Sequence, residues 1–232
     1  MLDLKGYKGF ALTKNDSSPE AMAVILVCTL QKIPILYVTK NRPYSNEFVP
    51  CGSVKWCESI LGYHVQPNYY PDFLIRYLYR GVSLSFDWPR YRRMFVKPAD
   101  RYKRFTGRIS IQGSFKGKKK PPYWISEVVK FENEWRYYIS NGKVLCGEWY
   151  SGDEINTPNA PNIDHIKFPN NFCGAVDFGS IYVGGDIPYV FALVENQHPF
   201  ACGWYGKKNE LYCQWLIDGW RYILGFYDAL SK

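Results

Sequence analysis

Residues 174–196 read GAVDFGSIYVGGDIPYVFALVEN. Two apolar, β-branched runs, GAVDFGSIYV (174–183) and PYVFALVEN (188–196), flank Gly184-Gly185-Asp186, the order of an antiparallel hairpin with a glycine turn. Each run carries an acid among apolar neighbours. Asp177 follows GAV, and Glu195 follows VFALV with Asn196 and Gln197 beside it. Unpaired carboxylates are costly to bury. On neighbouring strands, with an amide next to one of them, they are the hard oxygen donors that magnesium takes when phosphates complete its shell. Two acids facing one cleft repel until a cation joins them, so neutralising either is expected to leave the metal-free protein as stable or more so.

Upstream of the hairpin the pattern is also that of strands. MFVK (94–97), GRISIQ (107–112), YWISEVV (123–129), EWRYYI (134–139) and KVLCGEWY (143–150) are rich in aromatic and β-branched residues. Ser140-Asn141-Gly142 separates the last two and supplies the positive φ angles of a tight turn. Residues 153–171, with five Asn and three Pro, read as irregular chain. Further back, Met22–Leu30 and Ile33–Thr39 read as short buried strands, and Asp72–Arg80 as a short helix opened by Pro71, with Arg76 and Arg80 on one face. Glu210–Leu224 reads as a C-terminal helix stopped by Gly225.

Composition narrows the classes. The 232 residues are 47% hydrophobic and 22% charged, which excludes disordered, collagen-like and coiled-coil chains and is enough for one large domain or two small lobes. The longest apolar run, Ala21–Leu30, is shorter than the ~20 residues that span a bilayer, and MLDLKGYKGF lacks the form of a signal peptide, so a soluble, cytoplasmic protein is expected. Seven cysteines, mostly within apolar segments, point to reduced thiols. Three unpaired histidines and a lone Cys51–Cys57 spacing argue against zinc. The formal charge of +8 favours polyanionic partners.

Four features carry chemistry. Lys97 ends an apolar strand and opens the loop ADRYKRFTG (99–107), which contains Lys103; such a lysine reaches phosphate as a point charge, although an edge-strand lysine is the plain alternative. Glu127-Val128-Val129 is a strand end whose backbone can pair an adenine edge, and Glu134 can accept ribose hydroxyls, unless Glu134 and Arg136 are an ordinary same-face pair. Asp177 and Glu195 complete the set. The run Lys116–Lys120 reads first as a solvated hairpin tip, the aromatic pairs as packing, and His198 as a strand cap.

The series FVKP–loop–SEVV–EWR–VDFG–VEN resembles the ATP-grasp superfamily. FVPCGSVKWCESILG (48–62), YYPDFLIRYLYR (69–80) and WLIDGW (215–220) look like a small phage- and conflict-associated clade named for one arginine and two lysines. The resemblance implies an α+β fold in which two small, mainly antiparallel sheets clasp Mg-ATP behind an N-terminal α/β lobe. It implies divisions at 1–90 (N-terminal lobe), 91–129 (small central lobe up to the hinge) and 130–232 (C-terminal lobe with the metal site). Lys97 and Lys103 match the two lysines, Glu127–Val129 the adenine hinge and Glu134 the ribose acid. Arg136 resembles an arginine at the γ-phosphate, and Asp177 and Glu195 match the magnesium ligands. Arg80 is the candidate for the named arginine, with Arg76 its rival. The superfamily's Glu-x-Asn is here Glu195-Asn196-Gln197, so either Gln197 takes the amide's ligand role or the register differs. Ala175 stands where many members have arginine.

The activity implied is ATP-dependent ligation of a carboxylate to an amine or thiol through an acyl-phosphate, with unknown, possibly anionic substrates. The alternative is a basic nucleic-acid-binding protein that keeps the fold without turnover. Nucleic acid is otherwise expected to bind only weakly and non-specifically.

Overall fold

The computed structural model describes residues 1–89, 93–110, 120–155, 157–182 and 189–230. The run 116–119 and the glycine turn 184–186 lie outside the described residues. The described residues form three sheets. The first is parallel, with strands β1 (Gly9–Thr13), β2 (Ile35–Val38) and β3 (Phe48–Cys51) in the order β2-β1-β3.

Between β1 and β2 the chain is helical, not extended as the sequence suggests. Helix α1 spans Pro19–Gln31. Ser18 caps it, its hydroxyl accepting from the Ala21 N–H at 3.2 Å, and Pro19 sits at the first turn, where a missing N–H costs nothing. Ala21, Val24, Val27 and Cys28 are buried at three- and four-residue intervals, while Met22, Leu26 and Leu30 face outward. An unbroken apolar run hides that period, and the cap and proline decide it. Helix α2 (Val54–Leu61) follows β3 and is capped by Ser53.

Residues Asp72–Tyr77 form a 3₁₀ turn, shorter than the helix expected over 72–80. The next sheet is small and antiparallel. Its strands are β4 (Val82–Ser85), β5 (Met94–Pro98), β6 (Arg108–Ser110) and β7 (Tyr123–Glu127), ordered β4-β7-β5-β6. β4 hydrogen-bonds to β7 and so ties a strand from before residue 90 into this sheet. Strands β8 (Phe131–Ser140), β9 (Lys143–Ser151), β10 (Gly174–Tyr182) and β11 (Tyr189–Gln197) make the larger antiparallel sheet, ordered β11-β10-β8-β9. Asn141 and Gly142 turn β8 into β9 with φ of 49° and 71°, the left-handed geometry the Asn-Gly pair predicts. Mixed helix and antiparallel sheet is thus the observed class.

Residues 157–173 run without helix or strand along the outer face of the larger sheet, where the Pro158 and Pro161 carbonyls accept from Trp135 and Tyr137 at 3.0 and 2.7 Å. Helix α3 (Asn209–Leu230) packs on α1, β3 and β8, so the C-terminal helix joins the parallel sheet to the larger one. It continues through Gly225, which the sequence marks as a stop; one interior glycine costs only about 1 kcal/mol, within what the packed helix tolerates. No helix among the described residues is long and apolar enough to cross a membrane.

Trp215 anchors α3. It is fully buried against Tyr138 and Tyr212, and its indole N–H donates to the Gly174 carbonyl at 3.0 Å, the first residue of β10. Trp215→Ala is expected to cost about 3–5 kcal/mol in urea unfolding, through the cavity and the orphaned carbonyl together.

Candidate functional site

The larger sheet sets four charged residues in one row. Register pairs Glu148 on β9 with Arg136 on β8, Arg136 with Asp177 on β10, and Asp177 with Glu195 on β11. Directly paired residues share a face, so the row points to one side of the sheet. Arg136 donates from Nε and Nη2 to the two oxygens of Asp177, both at 2.7 Å, a bidentate pair in which Asp177 has no exposed surface. The remaining Nη1 donates to the Gly203 carbonyl at 3.4 Å.

The small sheet faces this row with Lys97. Lys97, on β5, forms an ion pair with Glu195 across the gap, and each side chain is only 14% exposed. Its ammonium also lies 4.8 Å from the Tyr69 ring centroid and 5.5 Å from that of Phe95. Gly107 lets the following loop close over it, since a Cβ there would come within 2.6 Å of the Phe95 ring and 3.2 Å of the Lys97 stem. Burial pulls the Lys97 pKa down to about 7, with Arg80 and Arg136 acting the same way and Asp177 and Glu134 against it. Contact with the Glu195 carboxylate favours the charged form.

Two cavities meet at this ion pair. One, of about 370 Å³, is lined by Arg80, Phe95, Val128, Val129, Glu134 and Tyr150; the other, of about 710 Å³, by Asp16, Glu20, Lys103, Arg136, Gln197 and Tyr205. Lys97 and Glu195 line both.

The structure therefore brings together Lys97, Arg136, Asp177, Glu195 and Gln197, with Glu134 and the segment 127–129 on the smaller cavity and Lys103 on the rim of the larger. Arg80 lines the smaller cavity while donating to the carbonyls of Leu193 and Val194, the latter at 2.8 Å. Arg76 bonds the Tyr77 hydroxyl at 2.8 Å on the surface and lines neither cavity. The Glu127 carboxylate holds the Gly81 N–H at 2.7 Å and the Glu127 N–H donates to the Gly81 carbonyl at 2.9 Å, so both are engaged with Gly81, and Val128 and Val129 follow on the cavity wall. Gln197 lies on the acidic face, its Nε2 donating to Glu195 at 2.6 Å, whereas the Asn196 amide turns away to the Asn68 carbonyl at 2.9 Å.

The expected repulsion between Asp177 and Glu195 is relieved within the protein. Each acid has its own cation, Arg136 or Lys97, because the register and the facing sheet supply partners that the hairpin alone does not reveal. Tyr150 lines the cleft and is missed by sequence reading, and Tyr69 and Tyr205, which belong to aromatic pairs read there as packing, line it too; each is one aromatic among many, and register and closure bring it to the cleft. Asp16 and Glu20, at the start of α1, join the cleft from a segment whose helical form the apolar run conceals.

His198 is buried between Tyr102 and Phe200, at ring-centroid distances of 4.3 and 4.0 Å, and lines the larger cavity. Burial, with Lys103 acting the same way, lowers its pKa to about 3.

A family model for an ATP-grasp domain, family 2 of the clade named for one arginine and two lysines, matches residues 78–215. No curated protein matches the chain. Among solved structures, the D-alanine–D-alanine ligase of Bacillus anthracis complexed with ATP aligns at 12% identity and a TM-score of 0.45, covering 96% of this chain and 99% of that one. The ATP-grasp ligase PsnB complexed with minimal precursor aligns at 9% identity and a TM-score of 0.44, covering 82% of this chain and 90% of that one.

Asp177→Asn leaves a buried guanidinium without its anion and is expected to destabilise the ligand-free protein by roughly 3–5 kcal/mol in urea unfolding, the opposite of simple relief of repulsion. His198 gives a pH signature. The unfolded chain binds its proton below about 6.5 and the folded chain only below about 3, so this residue removes stability as pH falls through that window. His198→Phe, which keeps the ring packing, should flatten that part of the stability–pH curve.

Proposed function

This chain belongs to family 2 of the arginine-and-two-lysines clade of ATP-grasp domains, and from that membership we propose that it is an ATP-dependent ligase that joins a carboxylate to an amine or thiol. The observation that carries the reading is the Lys97–Glu195 ion pair, which stands between two cavities and opposes a phosphate-binding cation to an acid suited to magnesium. The smaller cavity would take the nucleotide. Backbone groups of 127–129 would meet the adenine edge, Glu134 would accept the ribose hydroxyls, and Arg80 would hold β11 in place through its carbonyl bonds.

The phosphates would lie where the two cavities join. Their oxygens would compete with the carboxylates for Lys97 and Arg136, while Lys103 on the loop 99–107 supplies a further positive charge from the rim. The oxygen donors that would hold magnesium are Glu195, the Gln197 amide beside it and Asp177, the register partner of Glu195 on the same face; both Asp177 oxygens are bonded to Arg136, and among the described residues no three His, Cys, Asp or Glu side chains cluster as a metal site, so Asp177 would have to exchange Arg136 for the cation. Held by these residues, the metal would neutralise charge on the transferring phosphoryl group.

In the reaction, an oxygen of the substrate carboxylate attacks the γ-phosphorus and ADP leaves, giving an acyl-phosphate. The amine or thiol, seated in the larger cavity, then attacks the acyl carbon and phosphate departs, the nucleophile losing its proton. No protein nucleophile is needed, so the residues act by positioning and by opposing developing charge.

Lys97→Ala is expected to weaken ATP binding about 10- to 100-fold, the worth of one charge-assisted hydrogen bond. Calorimetry with Mg-ATP measures it, and unchanged affinity in a folded variant would remove Lys97 from the nucleotide site. Mass spectrometry of products formed with ATP and a metabolite pool tests the ligation itself; ADP release without a joined product would contradict it.

A further inference from the structure

Tyr150 carries no role in the sequence resemblance, yet it meets Glu134, Arg136 and Tyr205 together. The pairing of β8 with β9 slips between Glu134 and Trp135: Glu134 pairs with Ser151 and Trp135 with Trp149, which leaves Tyr150 as the extra residue of a bulge. A bulge re-aims the side chain it carries. Here the phenol donates to Glu134 Oε2 at 2.6 Å, and among the described residues no other group hydrogen-bonds that carboxylate. The Tyr150 ring stacks on Tyr205, with centroids 5.2 Å apart and planes at 26°. The Arg136 guanidinium lies against both rings, at 5.2 and 5.4 Å. Tyr150 is thus fixed at its ring by Tyr205 and Arg136, and at its tip it holds one oxygen of Glu134.

We propose that Tyr150 is a positioning residue that makes the smaller cavity select a ribonucleotide over a 2′-deoxyribonucleotide, by holding Glu134 with one oxygen so that the other faces the sugar. The inference rests on the reading of Glu134 as the ribose acceptor. A neutral donor suits this task, because it orients the carboxylate without neutralising it. Arginine or lysine there would compete with the sugar for the negative charge. A single oxygen, Oε1, then has lone pairs for two vicinal hydroxyls, whereas an unrestrained glutamate must give up side-chain freedom at each binding event. Burial raises the Glu134 pKa and the Tyr150 hydrogen bond is the largest influence in the other direction, so the same contact supports the ionised acceptor.

The test is the ratio of affinities for ATP and 2′-deoxy-ATP, measured by calorimetry with magnesium on the wild type, Tyr150→Phe and Glu134→Gln. Phenylalanine keeps the stack on Tyr205 and Arg136 and removes only the donor. The wild type should prefer ATP by about tenfold, one hydrogen bond's worth. Tyr150→Phe should lose most of that preference by weakening ATP while leaving 2′-deoxy-ATP nearly unchanged, and Glu134→Gln should lose it as well. If Glu134→Gln abolishes the preference and Tyr150→Phe retains it, or if Tyr150→Phe weakens both nucleotides by one factor, the positioning role is overturned while Glu134 stands. A wild type without preference, or a Glu134→Gln protein that keeps one, overturns the ribose reading and this inference with it.

Discussion

The ion pair between Lys97 and Glu195 is the constraint on which the site depends. It is a direct polar bond between the small sheet and the larger one, it is mostly shielded from water, and both cavities use its two side chains as wall. An ammonium and a carboxylate so placed are stable only together, since removing either strands the other in a poorly solvated gap. The facing sheets are thereby held at the separation at which a lysine from one reaches an acid from the other. A polyanion entering between them meets a cation already desolvated and already pointed at it.

Behind that pair lies a second, Arg136 with Asp177, built differently. Both partners are neighbours within one sheet, the geometry is bidentate, and the acid is wholly enclosed. The two pairs share the row Glu148–Arg136–Asp177–Glu195, in which Asp177 neighbours both an arginine and a glutamate. Alternating charge across a sheet stabilises the row; the one like-charged step, Asp177 beside Glu195, is tolerated because each acid is already satisfied by a cation of its own. Such a row stores acids and cations in balance, and a ligand carrying phosphates and a divalent cation could exchange partners with it without leaving a charge unpaired.

Aromatic packing fixes where the row can point. On the cleft face Tyr138 donates to the Gly203 carbonyl and packs on Trp204 and Trp215, which locks the segment 203–205 and hence Tyr205 beside Arg136. On the opposite face Tyr137, Phe178 and Phe191 form a close cluster, with ring centroids 4.8–6.2 Å apart. A sheet packed on both sides this way has little freedom to slip, and a one-residue slip would send the whole charged row to the wrong face.

Much of this is written in local sequence. The alternation of β8 and β9, the Asn141-Gly142 turn, and the acids at 177 and 195 within apolar strands are readable because a strand's period of two and the φ demands of a tight turn are properties of a few adjacent residues. So are the lysine at the end of β5 and the family resemblance that orders these pieces. Helix α1 shows the limit: its apolar run fits strand or buried helix equally, and the choice falls to a serine cap, a proline and the packing of α3 against it. What only the tertiary structure decided is which charges meet. Arg136 and Asp177 are 41 residues apart, Lys97 and Glu195 98, and Tyr150 reaches Glu134 through a bulge. Periodicity tells which face a residue takes but not which strand lies beside it or which sheet closes over it, because those depend on register and on the summed burial of residues far along the chain.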